Sequence, residues 1–268
     1  MNAQHMLFDS HCHLDAEQFD ADRDIMIAAL PGQGIHACLT CGSDLASSKA
    51  SLNLAERYAF VYAAAGIHPH EVSTASVNAV DLVATMLLRE KVVALGEIGL
   101  DFHYDFSPRD IQEVFLIRQL DLAYELKKPV VLHVREAHGV MLDILRQRKG
   151  RLPSGVLHCF SGSAQSAAEY QELGYYISFA GSLTFKNAQK LRQAAVAVSL
   201  DRLLIETDSP YLSPVPFRGK RNDPSRVADI CRVLAEIREM PSDEMAHITC
   251  RNACTLFGLS DRIVSLRE

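Results

Sequence analysis

The chain contains no tryptophan, and only 7% of its 268 residues are aromatic. Those aromatics are scattered, so no row of rings announces stacking on nucleobases. No apolar run approaches the roughly 20 residues needed to cross a bilayer, which excludes a membrane span. The first residues, "MNAQHM", lack the basic start and apolar stretch of a secretion signal. Basic residues are outnumbered, 27 to 33, for a net charge of −6. A surface coated in cations for nonspecific polyanion binding is therefore excluded, and any polyanion must be met locally. The seven cysteines are odd in number and follow no framework spacing. Reduced thiols and a cytoplasmic location are expected, and nothing implies an obligate protein partner.

What is present is a repeated alternation. Hydrophobic residues make up 48% of the chain, enough for a sizeable core. Short β-branched runs fall at Met6–His11, Ile35–Cys41, Phe60–Ile67, Val92–Ile98, Pro129–His133, Gly155–His158, Tyr175–Ala180 and Leu203–Thr207. Between them the helical period predicts Arg23–Leu30, Ser47–Tyr58, Val80–Glu90, Pro108–Leu126, Val140–Gln147, Ala164–Leu173 and Ala188–Val196. Two more helices, Arg226–Arg238 and Ser242–Phe257, follow the last strand, with Gly258 as a C-terminal cap. Strands such as "VVALGEI" and "PVVLHV" are apolar on both faces, as parallel strands covered by helices are. Eight strand–helix units in this length predict an α/β fold of the (β/α)₈ TIM-barrel type, as one domain over residues 1–268. A doubly wound sheet is the structural alternative, because periodicity does not reveal closure.

Polar residues collect where these strands end. His11 and His13 stand in "LFDSHCHLD", two residues apart and so on one face of a strand, with Cα atoms roughly 6.5–7 Å apart. His68 and His70 close the third strand, Glu97 the fourth with Asp101 just beyond, His133 the fifth and His158 the sixth. Glu206 and Asp208 close the eighth. A barrel brings all these ends to one face, where active sites form. Unpaired, such groups would be costly to desolvate together, and a cation relieves that cost. The donors exceed what one tetrahedral Zn²⁺ requires, so two divalent ions are expected, with Glu97 bridging them. His11, His13 and Asp208 complete one site, and His133 and His158 the other. Zn²⁺ and Mn²⁺ suit such donors, while Mg²⁺ favours oxygen-rich sites.

Other features carry less. Cys38 and Cys41 form a C-x-x-C inside a strand with no second pair, and Cys250 and Cys254 share a helix face; both pairs read as packing. His5, His36, His103, His138 and His247 have no supporting pattern. The loop "PFRGKRNDPSR" gathers Arg218, Lys220, Arg221 and Arg226. Alone it reads as a solvated loop, but beside a metal site Arg218, Lys220 and Arg221 become candidate phosphate contacts.

Taken in order, "DSHCHLD", "GIHPHE", "ALGEIGLDF", "PVVLHVREA", "GVLHCFSG", "ETDSPYLSP" and "RGKRNDP" resemble the TatD-type metal-dependent deoxyribonucleases of the amidohydrolase superfamily, over essentially the whole chain. The resemblance implies a distorted (β/α)₈ barrel, a divalent-metal site and phosphodiester hydrolysis, often as a 3′→5′ exonuclease on DNA. It makes His11, His13, Glu97, His133, His158 and Asp208 metal ligands and sets His68 against the substrate phosphate. Asp223 and Glu136 depart from the pattern, standing where Glu and Asp are usual. Glu97 replaces the lysine that bridges the metals in dihydroorotase-like and phosphotriesterase-like branches.

The expected chemistry is attack on phosphorus by a metal-activated hydroxide, with Asp208 as general base and Glu206 orienting a ligand from behind. Two rivals differ in substrate or class. One is a barrel metallohydrolase acting on a small phosphate ester, amide or lactone. The other is a metal-dependent binding protein without turnover.

Overall fold

A computed structural model describes residues 6–260. His5 lies outside the described residues. Eight strands, β1 (Leu7–Cys12), β2 (Ile35–Cys41), β3 (Val61–Ala65), β4 (Val92–Asp101), β5 (Val130–Arg135), β6 (Gly155–Leu157), β7 (Tyr176–Phe179) and β8 (Leu203–Ile205), pair in parallel in chain order. Seven helices fill the connections: α1 (Arg23–Ala29), α2 (Leu45–Arg57), α3 (Ala79–Leu87), α4 (Arg109–Leu126), α5 (His138–Gln147), α6 (Ala164–Glu172) and α7 (Gln189–Ala197). Then α8 (Val227–Ile237) and α9 (Ser242–Phe257) follow β8, and α9 stops at Gly258 in the left-handed conformation (φ 67°), the C-cap geometry the sequence predicts.

Alternate strand residues divide between two apolar clusters. Leu7, Val61, Leu95, Leu132 and Ile177 face the surrounding helices. Phe8, Leu39, Tyr62, Val131, Tyr176 and Leu204 face the interior, together with Cys250, Cys254 and Phe257 of α9. The barrel is thus a packed core, and α9 helps to fill it while lying against β1 and β8. Cys38 and Cys41 are both buried in β2, in keeping with a packing role.

Closure between β1 and β8 is slight, leaving the barrel distorted and nearly closed. A single bridge joins Cys12 to Ser209. Beside it, His13 N–H donates to Ser209 O at 2.8 Å and Asp208 N–H to His11 O at 3.0 Å. The seam therefore tightens at the C-terminal ends of the strands, where the polar residues lie. Strands β3, β6 and β8 end sooner than the sequence predicts, so His68, His70, His158, Glu206 and Asp208 stand on the following loops. Conversely, β4 runs on to include Asp101. Gly99 permits this: its φ is 152°, and a Cβ there would lie 1.9 Å from His133 O on neighbouring β5.

Candidate metal centre

Glu97 is 3% exposed and sits centrally in β4, and its two carboxylate oxygens point into two different nests of imidazoles. Oε2 lies 3.3 Å from His11 Nε2 and 3.7 Å from His13 Nε2. Asp208 Oδ1 lies 3.7 and 3.5 Å from the same two nitrogens, which are 3.1 Å apart. Ligands held at about 2.0–2.1 Å in a tetrahedron stand about 3.3–3.4 Å from one another. The separations in the first nest scatter around that value, so it fits a small divalent cation. Oε1 faces the second nest, 2.8 Å from His133 Nδ1 and 2.8 Å from His158 Nε2, with 3.2 Å between the two nitrogens.

Hydrogen bonds behind the rings decide which nitrogen carries a lone pair. His13 Nδ1 lies 2.9 Å from Cys41 O, an acceptor only, so that nitrogen holds the proton and Nε2 is free to ligate. His158 Nδ1 donates to Glu206 Oε1 at 3.2 Å, and Glu206 is itself held by Cys159 N–H at 2.6 Å. His133 Nε2 donates to Asp101 Oδ2 at 3.1 Å. All three rings therefore present a lone pair inward, towards a carboxylate that also offers lone pairs. Such a donor set is repulsive until a proton or a cation enters it.

The ionisation equilibria agree with that picture. Burial opposes charge on Glu97, but His158, His68 and His11 outweigh it and hold its carboxyl well below the usual range. Burial likewise lowers His13 and His158, yet the carboxylates around them prevail: Asp208 and Glu97 bring His13 up to about 9, and Glu97 with Glu206 raises His158 well above its ordinary value. These nests attract positive charge, and a divalent cation competes with protons for the same lone pairs.

His68 behaves differently. Its Nδ1 accepts the His70 backbone N–H at 3.1 Å, which leaves the proton on Nε2, 3.3 Å from Glu97 Oε1. Burial lowers its pKa to about 4. It is a neutral N–H donor at the edge of the second nest.

Two supporting carboxylates were without a role in the sequence reading. Asp101 is fully buried and its Oδ2 receives both His133 Nε2 and His70 Nε2, the latter at 2.9 Å. Asp9 is also buried; it takes Thr207 N–H at 2.8 Å and Thr207 Oγ at 2.6 Å, and so ties β1 to the segment that carries Asp208. A signal exists for each. Asp9 lies two residues before His11 on an apolar strand, and Asp101 lies four after Glu97.

The basic loop divides. Arg218 stacks on Phe185 at 4.2 Å, and Lys220 is exposed; with Arg221 they line a cavity of about 480 Å³. Arg221 makes a bidentate pair with Asp22 at 2.7 Å and donates to Gln18 O at 2.9 Å. Arg226 covers Phe217. Elsewhere, His36 meets Gly34 O, His138 meets Tyr170 and His247 is exposed. His103 pairs with Glu136 at 2.7 Å. The aromatics are not all scattered: Tyr104 and Phe106 stack on the rim beside His70.

Residues 8–258 match the model of a family described as TatD related DNase. The chain is 40% identical to YabD of Bacillus subtilis, a metal-dependent hydrolase, over 95% of this chain and all of that one. It is 35% identical to a 3′-5′ ssDNA/RNA exonuclease, TatD of Klebsiella pneumoniae, over 94% of this chain and 98% of that one. Among solved structures, the Escherichia coli TatD homologue YJJV superposes with a TM-score of 0.89 at 34% identity, covering 95% of this chain and 99% of its own.

Proposed function

Because the chain belongs to the TatD related DNase family of metal-dependent hydrolases, we propose that it is a 3′→5′ exonuclease that removes nucleotides from single-stranded DNA. The observation that carries the reading is Glu97, whose two oxygens serve two separate nests. A carboxylate so placed would suit a site that takes two divalent ions, which supply the chemistry of phosphodiester hydrolysis. Relatives named as 3′-5′ ssDNA/RNA exonucleases support the direction and substrate.

In this reading His11, His13 and Asp208 would hold one divalent ion, His133 and His158 would hold a second, and Glu97 would contribute to both. Mn²⁺ and Zn²⁺ suit this nitrogen-rich set better than Mg²⁺. When bound, the ions supply Lewis acidity at the phosphate and bring the pKa of water towards neutrality.

The chain's own groups do the rest. Asp208 is the general base: His13 and its neighbours outweigh burial and keep its carboxyl below the usual range, so it enters the reaction ionised. The site loop adopts a left-handed backbone at Asp208 (φ 55°), which aspartate tolerates. It turns the carboxylate back towards His11 and His13. His68 donates from Nε2 to a phosphate oxygen, where negative charge builds in the transition state. Glu206 keeps the His158 ring in its ligating tautomer. Arg218 and Lys220 meet neighbouring phosphates. All seven cysteines are thiols rather than disulfides, which favours work in the cytoplasm.

The test is digestion of a 3′-blocked and an unblocked single-stranded oligonucleotide with Mg²⁺, Mn²⁺ and Zn²⁺ in turn, beside His133→Ala. Stepwise shortening of the unblocked strand alone, lost in the variant, is the expected result. Turnover of small phosphate esters, amides or lactones with intact oligonucleotides would overturn the nuclease reading.

A further inference from the structure

Tyr104 and Phe106, on the loop between β4 and α4, are 48% and 64% exposed, with ring centroids 5.1 Å apart and planes inclined by only 10°. The Arg135 guanidinium lies 4.6 Å from the Tyr104 centroid. A flat aromatic surface with a cation laid on it is the composition used to stack unpaired bases.

The pair is held in place. Asp101 Oδ1 accepts the backbone N–H groups of His103 and Tyr104, both at 3.0 Å. Gln112 clamps the same loop from α4, donating to Asp101 O and Ser107 O at 3.1 and 2.8 Å. Arg109 pairs with Asp105. An exposed but pinned loop loses little entropy when a ligand settles on it.

The His70 ring is 4.8 Å from the Phe106 ring and 6.2 Å from the His133 ring, so one imidazole separates the stack from the second nest. In an eight-stranded barrel β4 stands across the mouth from β8. The rings after β4 and the cations after β8 thus lie on opposite sides of the centre.

We propose that Tyr104 and Phe106, with Arg135 behind them, form a stacking platform for an unpaired nucleobase next to the phosphate being cleaved, while the strand's other phosphates run towards Arg218 and Lys220. The proposal rests on the single-strand nuclease reading and names how that substrate is recognised. A base inside a duplex has both faces covered and its pairing edge engaged, so the platform favours an unpaired end that can splay its bases, and it does so without sequence preference because every base has a π-face. Both residues act in binding the base rather than in the chemical step.

The test measures binding of a 5′-dye-labelled single strand whose last two bases are 2-aminopurine and whose 3′ linkages are phosphorothioate, to the metal-reconstituted protein. A matched strand with abasic 3′ positions serves as the control. Phe106→Ala and Tyr104→Ala should each weaken binding of the base-bearing strand by about 5- to 100-fold, relieve the quenching of 2-aminopurine, and leave the abasic strand unchanged. Phe106→Trp should bind as the parent does. With cleavable strands the alanine variants should raise KM far more than they lower kcat. Equal binding of base-bearing and abasic strands by the parent would overturn the platform, as would variants that weaken both strands alike. The nuclease reading fails separately, if the parent leaves an unmodified strand uncut; binding of the paired strands still decides the platform.

Discussion

Replacing Asp101 with asparagine changes one oxygen to an amide nitrogen and leaves the volume alone. At present Oδ2 accepts from both His133 Nε2 and His70 Nε2, while Oδ1 accepts two backbone N–H groups. In Asp101→Asn the amide oxygen must stay with the backbone pair, or two buried N–H groups lose their acceptor. The amide nitrogen then faces two imidazole nitrogens that were donors. His133 can accept from it only in the other tautomer, which moves its proton to Nδ1, the atom 2.8 Å from Glu97 Oε1. A ring protonated there cannot ligate. Outer partners of this kind are worth about 10–100-fold in metal affinity. Losing a hydrogen bond to a charged group, about 1.5–3 kcal/mol, corresponds to a similar range. A two-site calorimetric titration with Zn²⁺ or Mn²⁺ should therefore show one affinity reduced about 10–100-fold and the other, of the His11–His13–Asp208 nest, nearly unchanged. Equal weakening of both sites, or of neither, would refute the tautomer argument.

Other expectations concern different parts of the molecule. Lys220→Ala should weaken single-strand binding and reduce the slope of log affinity against log salt by about 0.7; Arg221→Ala should leave that slope intact, because Asp22 already holds the guanidinium. Anisotropy titrations across salt concentrations would contradict this if the two variants behaved alike. Gly99→Ala should cost about 2–4 kcal/mol, since its Cβ would collide with His133 O; a melting temperature near that of the parent would show that β4 and β5 can part. Burial, with Lys190 nearby, lowers His138 to about 4. The unfolded chain takes up this proton first, near 6.5, so the contribution is whole above that pH and is lost as pH falls from 6.5 towards 4. It amounts to about 3 kcal/mol. Denaturant unfolding of His138→Gln should show a flatter pH dependence over that window, and an unchanged slope would count against the assignment.

How far the site could be read in advance depended on distance along the chain. His11 and His13 share a face because strand geometry places i and i+2 together. Glu97, His133 and His158 were legible because parallel strands covered by helices must end on one face. Asp101 stands out just beyond Glu97, but its role does not, because its partners, His70 and His133, lie 31 and 32 residues away and no local pattern links them. Tyr104 and Phe106 read as two scattered aromatics; only the turn capped by Asp101 makes them parallel. Arg221 read as a free cation until α1 brought Asp22 beneath it, 199 residues distant.

Sequence alone therefore determined what local periodicity and composition carry: eight parallel strands with helices between them, the residues at their C-terminal ends, and an acidic surface with one basic loop. Tertiary structure decided what depends on closure. It assigned Glu97 one oxygen to each nest, since that requires β1 and the loop after β8 to arrive on one side and β5 and the loop after β6 on the other. It also chose the tautomers, through carbonyls and carboxylates on neighbouring strands. A ring nitrogen becomes a ligand or a donor according to what stands behind it, and strand periodicity does not specify that neighbour.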